Sequence, residues 1–156
     1  MAFEISVVSN VPLTPIEDPR EVAIMFLRQI GYLSGGPEGG ASAKDLKESI
    51  PFKLFADYLL KRMERGWTVE QLSTRLKTTK ATVYRHINKL KALDILEEVE
   101  VPMPDGPRKG YRIRYGNLSK AWNFVEAHVQ VAMEHYRRTV EHLQSLVEGG
   151  FSDDKG

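Results

Sequence analysis

A chain of 156 residues fits one domain, or one domain with an appendage, and 42% hydrophobic with 28% charged residues is an ordinary globular composition. The absence of cysteine excludes disulfides, thiolate metal sites and a cysteine nucleophile. No apolar run approaches the ~20 residues of a membrane span, and the opening MAFEISVVSN lacks a basic leader before an apolar core, so the cytoplasm is the expected compartment.

The formal net charge of +1 conceals a segregation: Lys61 to Tyr115 holds 13 Lys/Arg against 7 Asp/Glu, an excess of +6, and the remainder of the chain carries −5. Such a concentration is the footprint of a phosphate-binding face, the alternative being a solvated basic surface.

Phe3 to Val11 is apolar and β-branched enough for a short strand, and Pro12 and Pro15 end it. An arm crossing a dimer, an edge strand and an unordered segment all remain open for it. Asp18-Pro19-Arg20-Glu21 is a helix start, with a cap, a proline at the first helical position and a glutamate at the capping-box position. Val22, Met25, Phe26, Ile30 and Leu33 supply the expected buried stripe, and Gly31 is placed to end the helix. Ser34 to Gly40 reads as a glycine-rich loop, and Ser42 with Asp45 as the cap of a short helix to about Ser49. Beyond Pro51, Phe52 to Arg65 predicts a helix with Phe52, Phe55, Tyr58, Leu59 and Met63 on one face and Gly66 as its stop. Residues 18–65 thus repeat a helix, short helix, helix plan. Its loop is too long for a tight turn, which favours packing helices over a degenerate helix-turn-helix.

Thr68 and Gln71 form a capping-box pair, and Val69, Leu72 and Leu76 recur on one helical face. Lys77 and Thr78 fall in a turn, and Thr79 or Thr78 caps the next helix. There Val83, Ile87 and Leu90 make the apolar stripe. Thr82, Arg85 and Lys89 point the other way, with Tyr84 and Asn88 on a flank. A short helix with a cationic outer face suits the DNA major groove.

Leu96 to Val101 alternates valine and glutamate, the pattern of a half-buried strand. Pro102 to Gly110 is a loop with a turn-forming Asp105-Gly106 pair. Tyr111-Arg112-Ile113-Arg114-Tyr115 alternates strictly, with two arginines on one face. Two antiparallel strands with Arg108 and Lys109 near the tip make a basic hairpin, or wing, suited to the phosphate backbone or a narrow minor groove.

Thr79-x-x-Thr82-Val83-Tyr84-Arg85-His86-Ile87-x-x-Leu90, followed by a break and ILEEVEV, resembles the recognition helix and first wing strand of winged helix-turn-helix regulators, the ArsR-like and MarR-like families being nearest. The resemblance runs from about Phe52 to Leu146. One departure is Asp94, where those families usually place glycine after the recognition helix; aspartate tolerates the left-handed conformation better than most residues.

Ser119 is the expected cap of a last helix, about Lys120 to Val147. Trp122, Val125, Val129, Ala132, Met133, Tyr136, Val140, Leu143, Leu146 and Val147 recur in it at three- and four-residue steps. At ~1.5 Å per residue it spans roughly 40 Å, too long for one small winged domain to cover, so a second copy of the helix is the economical partner. Phe151 to Gly156 is a polar tail.

His128, His135 and His142 recur at steps of seven, hence on one side of that helix. Neighbours lie about 10.5 Å apart, too far to share a metal, and metal-sensing ArsR-like spacings are not reproduced. A boundary stripe of a helical interface is the expected role. No phosphate loop, G-x-S-x-G or H-E-x-x-H occurs, so no catalytic residue, cofactor or metal is expected, and no enzyme.

The expected fold is therefore a mainly α winged helix-turn-helix of the α+β kind. It comprises an N-terminal extension (1–50), the winged DNA-binding part (51–118), a dimerisation helix (119–148) and a tail (149–156). The expected function is transcription regulation by a homodimer on double-stranded DNA. Thr79, Lys80, Thr82, Tyr84 and Arg85 would contact base edges or adjacent phosphates, and His86 the groove edge or a phosphate. Lys89, Arg108, Lys109, Arg112 and Arg114 would neutralise phosphates. The alternative is a winged-helix protein-interaction module within a larger assembly. Phe26, Tyr32, Phe52, Phe55, Trp122 and Phe124 admit two readings, a pocket for an unidentified small-molecule effector or plain core.

Overall fold

The computed structural model describes residues 17–33 and 43–150. The expected N-terminal strand, the glycine-rich loop, the Ser42 cap and the polar tail lie outside them.

Helix α1 (Pro19–Gln29) starts where the cap predicts: the Asp18 carboxylate accepts from the Arg20 N–H, and Pro19 occupies the first turn. It ends at Ile30, and Gly31 follows at φ 79°, a left-handed conformation that glycine adopts without strain. Of the expected stripe Ile30 and Leu33 are buried, but within the helix the buried face is shifted. Ala23, Ile24 and Leu27 are buried, whereas Val22, Met25 and Phe26 are only partly covered.

Helix α2 (Ala43–Glu48) leads through Ser49 into α3 (Ile50–Lys53), which continues directly as a π-helical segment, Leu54–Leu59. This element begins before Pro51. Ser49 is its cap, and proline is accepted because the first-turn N–H needs no helical partner. The segment buries Phe52, Leu54, Phe55 and Leu59. Arg20 of α1 pairs with Asp57 of the π segment, and Lys47 of α2 with Glu21 of α1, which ties the N-terminal helices to the winged part.

Helix α4 (Val69–Leu76) carries both halves of the capping box: Gln71 N–H donates to Thr68 Oγ1 at 3.1 Å, and Thr68 N–H to Gln71 Oε1 at 3.0 Å. Lys77 closes it in the left-handed region at φ 54°, which gives the sharp turn into α5 (Lys80–Ala92). Thr79, not Thr78, caps α5 by accepting from Thr82 N–H at 3.1 Å. Asp94 turns the chain at φ 59°, the left-handed conformation expected of it.

Strands β1 (Leu96–Val101) and β2 (Arg108–Ile113) pair antiparallel from Leu96↔Ile113 to Val101↔Arg108. Strand β2 starts three residues before the expected Tyr111. Trp67 makes an isolated antiparallel bridge to Tyr111, with both backbone hydrogen bonds at 2.8 Å. Gly110 permits that approach, since a Cβ there would lie 2.9 Å from the Trp67 carbonyl and 2.4 Å from Val101 Cγ2. Beyond Ile113 the strand alternation breaks: Arg114–Gly116 is a 3-10 turn, with Tyr115 at φ 63° and exposed.

Helix α6 (Leu118–Glu148) is capped by Asn117, whose side chain accepts from Lys120 N–H, two residues ahead of the expected Ser119. Among the described residues one continuous core joins α1, α3 with its π segment, α4, α5, the hairpin and the start of α6. Phe52 and Phe55 are fully buried in it. The Phe26 ring centroid lies 6.1 Å from that of Phe55 and 5.8 Å from that of Trp122. Phe52 and Phe55 are thus core rather than pocket lining. Only Ala121 and Val125 of α6 are fully buried.

Candidate nucleic-acid interface

The geometry of α5 follows from its stripe. Val83, Ile87 and Leu90 are fully buried, which forces the opposite side outward. Thr79, Lys80, Tyr84, Arg85, Asn88 and Lys89 are exposed, and Thr82 half-buried. Arg85 and Lys89 form no ion pair among the described residues, so their charges are unspent. The Thr79 and Thr82 hydroxyls lie 2.9 Å apart and fix each other at the first turn. Lys80 stands 3.8 Å from Glu70, a loose, solvated pair of small energetic weight.

His86 departs from expectation. It is 7% exposed and packs edge-on against Tyr32 of the segment after α1, ring centroids 6.5 Å apart. One position beyond Arg85, the helical turn swings it from the outer face to the inner margin. Its Nδ1 is buried without a partner. Burial first, then the charges of Arg85 and Lys89, hold its pKa below the ordinary histidine value. Tyr32 donates its hydroxyl to the Pro51 carbonyl at 3.2 Å, and burial pushes its phenol well above the usual range. His86 is a neutral packing residue behind the surface rather than a groove contact.

The wing cations divide. Arg108 and Lys109 are exposed, at the start of β2 rather than in the loop. Arg108 pairs with Asp105 at 2.5 Å, and Lys109 stands 3.7 Å from Glu98. The Asp105 contact with Arg108 holds that carboxyl below its ordinary pKa, and a hydrogen bond from Lys91 does the same for Glu98. Arg112 and Arg114 are not free. Arg112 Nε donates to Glu97 at 2.7 Å, and its guanidinium also reaches the Glu64 carbonyl at 3.3 Å. Arg114 Nε donates to the Asp94 carbonyl at 2.9 Å, and its guanidinium carbon lies 4.2 Å from the Phe124 ring centroid of α6. Both were expected on phosphates; both fasten the base of the hairpin. The break in β2 turned Arg114 out of the strand's face.

His128 likewise acts locally. Its Nδ1 lies 2.8 Å from Asp94, and its ring is 4.9 Å from Phe124. From Met133 the exposed apolar residues Tyr136, Val140, Leu143 and Val147 follow at steps of three and four, a heptad seam, on which His135 and His142 do not lie. No group of three or more His, Asp or Glu able to hold a metal occurs among the described residues. No helix among them is long and apolar enough to cross a membrane.

Sequence reasoning missed Trp67 and the cations around it. Arg65 stacks on the Trp67 ring at 3.7 Å, and Arg75 lies 5.6 Å from it. The signal available was the basic run Lys61-Arg62 with Arg65, read only as part of a general excess.

Residues 57–99 match the family model described as a helix-turn-helix domain. No curated protein matches the chain. Among solved structures, one described as a possible transcriptional regulator from Methanosarcina mazei Go1 is similar at 20% identity and a TM-score of 0.43, over 59% of this chain and 75% of that one. The capped α4, the left-handed turn at Lys77, the exposed α5 and the paired hairpin, together with the family match, make this chain a carrier of a winged helix-turn-helix domain.

Proposed function

We propose that the protein is a transcription regulator that binds double-stranded DNA as a homodimer. Helix α5 enters the major groove, and the wing lies along the backbone or minor groove. The observation that carries the reading is the bare outer face of α5, where Arg85 and Lys89 are exposed and unpaired over a fully buried apolar stripe. Thr79, Lys80, Thr82, Tyr84 and Arg85 read base edges or adjacent phosphates; Lys89, Arg108 and Lys109 neutralise phosphates. Residues 51–118 are the DNA-binding part and 1–50 an extension, whose helix α1 shares the core with it.

Residues 119–148 are the dimerisation element. Tyr136 at 64%, Val140 at 61% and Leu143 at 56% exposure are apolar positions on a heptad seam with no cover in one chain. Pairing two such seams removes that surface from water, at about 25 cal/mol per Å² buried. A two-fold axis through paired α6 helices sets two α5 helices on half-sites about one helical turn apart, so the operator is roughly palindromic.

The test is binding of the full chain to a randomised duplex library, read by sequencing of the retained fraction. A palindromic consensus is expected. Retention with no consensus, or no retention at micromolar protein in low salt, sinks the reading. Sedimentation equilibrium separately tests the dimer, which Val140→Glu with Leu143→Glu should dissociate.

A further inference from the structure

A second concentration of positive charge lies outside the surface just described. A cleft of about 420 Å³ opens between the π segment and α4, floored by Tyr58 and Trp67. Its walls carry Lys61, Arg62, Arg65 and Arg75. Among the described residues none of these four has an ion pair. The one carboxylate on the rim, Asp57, is engaged by Arg20.

Four like charges around one recess repel one another. Nothing in the packing requires them together, since the core beneath is apolar and already closed. The floor is built rather than incidental. Backbone bonds to Tyr111 anchor Trp67, and the Tyr58 ring meets the indole edge-on at 5.2 Å. The Arg65 guanidinium carbon lies 3.7 Å from the indole centroid, and a guanidinium held over an aromatic ring can still donate to an oxyanion. Trp67 is 3% exposed, yet its Nε1–H, a donor with no other way of being satisfied, is buried without an acceptor. A recess lined by unpaired cations asks for oxygen acceptors that carry negative charge.

We propose that this cleft binds a small phosphate-bearing molecule, with Lys61, Arg62, Arg65 and Arg75 around the dianion above the Tyr58–Trp67 floor. The volume falls in the range of small-ligand pockets. A concave recess favours a compact ligand over the backbone of a duplex, whose phosphates ride on a convex cylinder. Tyr58 offers a face for the ligand's organic part. The proposal stands apart from the DNA reading.

The chain has two tryptophans, so a nitrogen-15-labelled sample gives two indole signals. Trp122 donates its Nε1–H to Glu126 at 3.1 Å and serves as the internal reference. Trp122→Phe assigns the pair. The full chain is titrated with inorganic phosphate, above its second ionisation and at constant ionic strength set with sodium chloride. The expected result is a saturable shift of the Trp67 signal with a Kd on the order of 1 mM, while Trp122 stays still. Arg75→Gln and Lys61→Gln, both at exposed positions, should each weaken binding about tenfold with the fold retained. An unmoved Trp67 signal, an equal shift with chloride alone, or unchanged affinity in both variants would overturn the proposal. So would a Trp67 shift seen with random duplex but absent with phosphate, which would give the cleft to DNA.

Discussion

Two sets of cations, equal in the sequence, differ in what the fold does with them. On α5, Arg85 and Lys89 are exposed and unpaired. At the base of the wing, Arg112 and Arg114 are bonded to Glu97, the Asp94 carbonyl and the Glu64 carbonyl, with their side chains only 30% and 21% exposed. The first set has its desolvation and pairing still to come, so its charge is available to a partner. The second has spent its hydrogen bonds on the hairpin and on the junction with α6. Density of positive charge therefore locates a region, and partner geometry decides which members of it can bind.

This contrast is best broken at Arg114. Arg114→Ala should lower unfolding stability by about 3 kcal/mol, because it strips charge-assisted bonds from the Asp94 and Leu96 carbonyls and uncovers Phe124; urea titration measures it. DNA affinity under folding conditions should hardly move. A normal midpoint with lost DNA binding would return Arg114 to the interface. Arg85→Ala is the mirror experiment. Stability should stay within about 0.5 kcal/mol, while discrimination between the best site and a one-base variant falls by about 1–3 kcal/mol. Competition anisotropy with both duplexes reads that difference, and unchanged discrimination would mean that α5 presents another face.

His86 sharpens the same boundary through pH. Its folded pKa is below that of the unfolded chain, so the unfolded state takes up the proton first as pH falls. Stability should therefore be full above the unfolded value of about 6.5 and decline as pH drops below it. His86→Phe keeps the edge-on contact with Tyr32 and should flatten that part of the curve, as thermal melts across the range would reveal. An equally sloped curve in the variant would assign the loss to other groups. The smallest effect belongs to Lys109→Ala. Its pair with Glu98 is loose and exposed, so all duplexes should bind slightly less well, with the salt slope reduced by about one.

Much of the architecture was legible because local chemistry and tertiary packing agree. Thr68 with Gln71, Asp18 with Pro19, and Thr79 are caps whose partners lie within three residues, and Leu96–Val101 alternates with the two-residue period of a strand. Asp94 and Lys77 take left-handed conformations at turns the sequence marks. The errors fall where a residue's fate depends on something distant. His86 is buried by Tyr32, 54 positions away in the chain. Arg114 is drawn inward by Asp94 and Phe124, and α1 turns its Ala23–Ile24 side inward to meet the helices that follow.

Periodicity, capping and turn chemistry are short-range, so the chain by itself determined the order of its helices, the turn between α4 and α5, the hairpin and the long seam of α6. Which cation is spare, which histidine is dry and which tryptophan donor has no partner are relations between segments remote in sequence. Only the folded chain settles them, because burial and hydrogen bonding are properties of neighbours in space.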